Sequence, residues 1–94
     1  MLRSLERMEK SVHSPRYRAF LRLLRTTRVR AGLTQTDLAR KIGETQTFVS
    51  KCERGERRID VVELRVFCQA FGVTLPHFAT LLERAFRQKL PRRR

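Results

Sequence analysis

A chain of 94 residues has room for one small domain, and 40% apolar residues suffice for a single compact core. Four glycines and three prolines among plentiful Leu, Ala, Arg, Glu and Gln favour helices over a sheet, so the expected fold class is all-α. A net charge of +13 predicts attraction to polyanions, chiefly nucleic acid, with an anionic membrane surface as the rival. The charge is uneven: residues 1–30 carry nine Lys/Arg against Glu6 and Glu9, and 86–94 carry five with no acid, whereas 60–85 are nearly neutral. No apolar run is long enough to span a membrane, and none near Met1 resembles a signal peptide, so a soluble, cytoplasmic protein is expected. Cys52 and Cys68 form no Cys-x-x-Cys pair and share no ligand spacing with His13 and His77. Neither a metal nor a cofactor is expected, and both thiols read as small core residues.

In residues 1–13, Leu2, Leu5, Met8 and Val12 recur at three- and four-residue spacing, compatible with a short helix; terminal position and charge favour a mobile basic arm. Ser14-Pro15 is a helix start, a Ser cap before Pro at the first helical position. Tyr17, Phe20, Leu21, Leu24 and Ala31 then recur at helical intervals until Gly32, giving an amphipathic helix with an arginine-rich outer face. Thr34-Gln35-Thr36-Asp37 reads as a capping box with Asp in place of Glu. Leu38, Ala39 and Ile42 form the apolar face of a short second helix, which Gly43 closes. Thr45 caps a third, with Phe48, Val49 and Cys52 apolar and Gly55 at its end. Asp60, with Glu63 three residues on, caps a fourth helix lined by Val61, Leu64, Phe67, Cys68 and Phe71 and stopped by Gly72. Thr74 caps a fifth with Pro76 in its first turn and Leu75, Phe78, Leu81, Leu82, Ala85 and Phe86 apolar. The expected organisation is a basic arm over 1–13, a five-helix domain over 14–86 and a basic tail over 87–94.

Two short helices that cross steeply need a small residue at the close approach and a positive φ in the turn four residues on. Ala39 and Gly43 meet both demands, and Leu38, Ile42, Val49 and Cys52 can clamp the pair from inside. These six positions in register predict a helix-turn-helix over about 34–54. The run Ala31-Gly32-Leu33-Thr34-Gln35-Thr36-Asp37-Leu38-Ala39 resembles the opening of the Xre family of Cro-like, lambda-repressor-like regulators. Phe48-Val49-Ser50-Lys51-Cys52-Glu53-Arg54-Gly55-Glu56-Arg57-Arg58 resembles that family's ending of the recognition helix. The resemblance covers about residues 16–82, with one departure: Cys52 stands where a larger apolar residue or Tyr is usual. It implies a compact five-helix domain that binds double-stranded DNA as a small transcriptional repressor, with helix 45–54 in the major groove.

Once the core is assigned, Gln46, Thr47, Ser50, Lys51 and Arg54 remain on helix 45–54. Gln can bond an adenine edge, Thr offers a hydroxyl and a methyl to thymine, Ser suits either, and Lys favours guanine, so the first four are candidates for base contact. Thr45, Arg54, Arg57 and Arg58 are candidates for the phosphate backbone. The resemblance adds Gln35, which in the family bonds a phosphate and braces its neighbour on the recognition helix. The plainer alternative is that all these are solvated polar residues. The resemblance also sets Arg28 against Glu53, a bridge locking the recognition helix to the scaffold if buried, and worth under ~1 kcal/mol if exposed. Glu44 suits the helix dipole but would meet phosphates poorly, so it is expected to point aside. Phe48 reads equally as a core residue or as an exposed aromatic for a thymine methyl or a sugar.

No Ser/His/Asp or Cys/His frame, Gly-rich phosphate loop or carboxylate pair is present, and His77 lacks a candidate partner, so catalysis is not expected. The rival function is an antitoxin-type component of a toxin–antitoxin module, binding DNA and a protein partner through residues 1–13 or 86–94. One such domain reads only about four to six base pairs, so a homodimer on the operator is expected, with Phe86 and Leu90 as its contact.

Overall fold

The computed structural model describes residues 14–89. They form five α-helices and no strand: α1 (Pro15–Arg30), α2 (Gln35–Ile42), α3 (Gln46–Glu53), α4 (Val61–Phe71) and α5 (Leu75–Lys89). The expected all-α, five-helix architecture is therefore the observed one. The arm over 1–13, Leu90 and the end of the basic tail lie outside the described residues.

Side chains satisfy the first amides of the helices. Ser14 Oγ accepts from the Tyr17 N–H at 3.0 Å. At α2 the box is reciprocal: Thr34 Oγ1 accepts from Asp37 N–H at 3.0 Å, and Asp37 Oδ2 accepts from Thr34 N–H at 2.9 Å. Asp60 and Glu63 repeat it at α4, at 2.8 and 3.0 Å. Each such cap stabilises its helix by about 1 kcal/mol. Between α2 and α3 the chain reverses at Gly43, whose φ of 73° lets the Glu44 N–H reach back to the Ala39 carbonyl at 2.9 Å.

The core is one cluster to which all five helices contribute. Leu24, Leu38, Val49, Cys52, Phe67, Cys68 and Phe78 are sealed from solvent. Phe20 meets Phe78 edge-on with ring centroids 6.1 Å apart, joining α1 to α5, while α2 packs against α3 and α4. The Tyr17 hydroxyl accepts from the Ile59 N–H at 3.2 Å and so ties α1 to the loop before α4; burial pushes that hydroxyl's pKa up. Both thiols are free and buried, and burial raises their pKa values as well.

Several apolar positions differ from the sequence pattern. Val61 is 64% exposed, because the first residue of α4 stands at the rim of a groove beside α1 and α5, clear of the core. Ala31 is the exposed C-cap of α1, and Leu81 is only half-buried on α5.

Candidate functional site

The α2–turn–α3 unit is built as its spacing demands. Ala39 is buried, and Leu38, Val49 and Cys52 fill the interior, with Ile42 half-buried beside them. With that side of α3 committed inward, Gln46, Thr47, Lys51 and Arg54 are exposed and Ser50 is partly so. Their three- and four-residue spacing sets them along one outer face.

A continuous chain of polar contacts ties that face to α1. Arg28 is 7% exposed and holds Glu53, at the end of α3, side-on through one guanidinium edge: Nε to Oε2 at 2.6 Å and Nη2 to Oε1 at 3.1 Å. Its Nη1 donates to the Leu33 carbonyl at 2.8 Å, fixing the α1–α2 connection. Glu53 Oε1 also accepts from Gln35 Nε2 at 3.0 Å, and Gln35 Oε1 accepts from Gln46 Nε2 at 2.7 Å. Among the described residues no buried side-chain polar atom lacks a partner.

The arginines that follow α3 are held by acids. Arg54 pairs with Glu56 at 2.8 Å and also donates to the Ser50 hydroxyl. Arg57 reaches Glu63 with two hydrogen bonds, of 2.7 and 3.0 Å, and lies over the Phe48 ring at 4.7 Å from its centre. These hydrogen bonds hold the Glu56 and Glu63 carboxyls below their ordinary pKa values and push the arginines up. Arg58 is exposed and has contacts of its own within the protein. Thr45 caps α3 by accepting from the Phe48 N–H at 3.0 Å, which leaves its hydroxyl proton free to donate.

Phe48 falls between its two expected roles: it is half-buried against the core and its ring carries the Arg57 guanidinium. Glu44 lies exposed beside Ile42 and Phe48, near Glu63. Sequence reasoning missed the Arg57–Glu63 pair, having used Glu63 only as a cap, and the link from Gln35 to Glu53. Neither has a sequence signal, since six and eighteen residues separate the partners. Phe86 is half-buried at a largely apolar groove with Tyr17, Ile59, Val61 and Leu82. Leu90 lies outside the described residues.

The match that decides the family is a helix-turn-helix domain, whose family model matches residues 19–81. A solved structure described as an XRE-family like protein from Pseudomonas syringae pv. tomato str. DC3000 shares 42% identity and a TM-score of 0.72, covering 83% of this chain and 95% of that one. The chain belongs to the XRE-like helix-turn-helix family. No curated protein matches it. As an XRE-like protein it is a DNA-binding regulator by family, and its helix-turn-helix is the α2–Gly43–α3 unit. Among the described residues no helix is long and apolar enough to cross a membrane.

Proposed function

We propose that this XRE-like protein is a cytoplasmic, sequence-specific repressor that binds duplex DNA with α3 in the major groove. Gln46, Thr47, Ser50 and Lys51 read base edges; Gln35, Thr45, Arg54, Arg57 and Arg58 contact the phosphate backbone. The observation that carries this reading is the polar outer face of α3, held to α1 by the buried Arg28–Glu53 pair. A rigid element is what base recognition needs, because hydrogen bonds to base edges tolerate little misplacement. Ser50 already accepts from Arg54, which leaves its own proton free to donate to a base acceptor. Two copies act on one operator, with half-sites about one helical turn apart and Phe86 and Leu90 in the contact between them.

Selection of bound sequences from random duplexes tests specificity, symmetry and half-site spacing together. A defined two-fold motif is expected. Affinity for the selected duplex should fall roughly tenfold or more between about 50 and 200 mM salt. Recovery of no motif, or a flat salt response, overturns the proposal.

A further inference from the structure

We infer that Glu53 is a positioning residue for base recognition: through Gln35 it fixes which end of the Gln46 amide faces the bases. The inference rests on the DNA reading above. Both oxygens of the Glu53 carboxylate accept from the Arg28 guanidinium, so neither is a donor toward Gln35. Glu53 Oε1 therefore accepts a hydrogen bond from Gln35 Nε2, 3.0 Å away, and the Gln35 amide cannot be turned over. Its oxygen is left facing Gln46. That oxygen also only accepts, so Gln46 must offer its Nε2, at 2.7 Å. A charge on α1 thus sets the polarity of an exposed amide at the opposite end of α3.

The consequence is chemical. With one N–H committed to Gln35, Gln46 keeps its Oε1 and one N–H for a partner outside the protein. An acceptor beside a donor complements the major-groove edge of adenine, which offers the N6 amino group and the N7 acceptor. It mismatches guanine, whose O6 and N7 both accept. A Gln46 amide held the other way round, by its oxygen, would present two N–H groups and suit guanine instead. Glu53 touches no base in this scheme, yet it selects adenine over guanine at one position.

Two variants separate positioning from scaffolding. Arg28→Met/Glu53→Leu removes both charges and refills their volume, a replacement that proteins commonly tolerate. Glu53→Asp keeps the charge beside Arg28 but withdraws the carboxylate by one methylene from Gln35. The probes are a duplex selected from a random pool and its single-base-pair replacements. Wild type should prefer adenine over guanine at one position by about tenfold or more. Glu53→Asp should lose that preference while keeping those opposite Thr47 and Lys51, and the double variant should lose it too, with any loosening of α3 weakening all duplexes alike. A folded variant that keeps the adenine preference overturns the inference.

A second readout needs no DNA. In the free 15N-labelled protein, one of the two Gln46 side-chain amide protons should exchange more slowly than the other, and in Glu53→Asp the two should exchange alike. Equal exchange in wild type overturns the inference even if the double variant does not fold. Should wild type prefer no duplex at all, the DNA reading fails, and the exchange measurement still decides the orientation of Gln46.

Discussion

Replacing Glu53 with Ala strands the Arg28 guanidinium, whose side chain is only 9% exposed in the folded chain. Water cannot reach it well enough to replace two hydrogen bonds to a carboxylate, so the guanidinium is left without a counter-charge. Breaking one side of a buried pair costs about 3–5 kcal/mol, a large share of the ~5–15 kcal/mol that holds a domain folded. In a domain of this size that should lower the melting temperature by about 12 °C or more. Arg28→Met/Glu53→Leu should lose less, because no buried charge remains. Its residual cost is the Leu33 carbonyl, which loses the Arg28 donor at 2.8 Å, worth about 1–3 kcal/mol. Urea denaturation of the three proteins, followed by circular dichroism, measures the difference. A loss below ~1 kcal/mol for Glu53→Ala would refute the reasoning, because the pair would then be behaving as an exposed one.

Lys51→Ala should cost about 1–3 kcal/mol at the preferred duplex and relax base choice there, whereas Arg57→Ala should weaken specific and random duplexes alike; identical behaviour of the two rejects the division between base and phosphate contacts. Arg57→Ala should also lower stability by about 1 kcal/mol, through loss of the Glu63 pair and the stack on Phe48. Hydrogen bonds hold the Asp37 and Glu63 carboxyls below their ordinary values in the fold, so the stability they supply is present above the unfolded pKa and is lost as pH falls through about 4 and below. Denaturation midpoints should therefore drop between pH 7 and pH 3, and equal midpoints would sink that reading. Sedimentation on a selected operator should show Phe86→Ala failing to pair where wild type does; unchanged assembly removes Phe86 from the contact.

Four helix starts and the ends of α2 and α4 were legible because each has a local cause; the end of α5 at Lys89, past the expected 86, has none. Ser14, Thr34, Thr45 and Asp60 act within three residues of themselves, and Gly43 and Gly72 take positive φ where the pattern needs a stop. The turn between α2 and α3 was legible for the same reason. What the residues alone could not disclose is pairing at a distance. Gln35 meets Glu53 and Arg57 meets Glu63 only because α2, α3 and α4 are packed together first. Val61 shows a second limit: apolar periodicity marks a face, but at the first residue of a helix that face has nothing to cover it.

These long-range pairs change how the positive charge works. Arg54 and Arg57 stand beside α3 but are already engaged by Glu56 and Glu63, so a DNA phosphate would replace one anionic partner with another. Such an exchange yields less affinity than an unengaged arginine would and more orientation, since the guanidinium fork must align with a new acceptor. Attraction at a distance needs charge that is not locally cancelled. α1 supplies it: Arg16, Arg18, Arg22, Arg25 and Arg30 are exposed on a helix that carries no acidic residue. Their field reaches about one Debye length, roughly 10 Å at 0.1 M salt, and so steers encounter without choosing sequence. On the proposed reading, choice falls to the outer face of α3, whose side chains take no part in the core and can change without unfolding it. The buried pair beneath cannot change so freely, because Arg28 and Glu53 hold α3 to α1 and removing either one strands the other's charge.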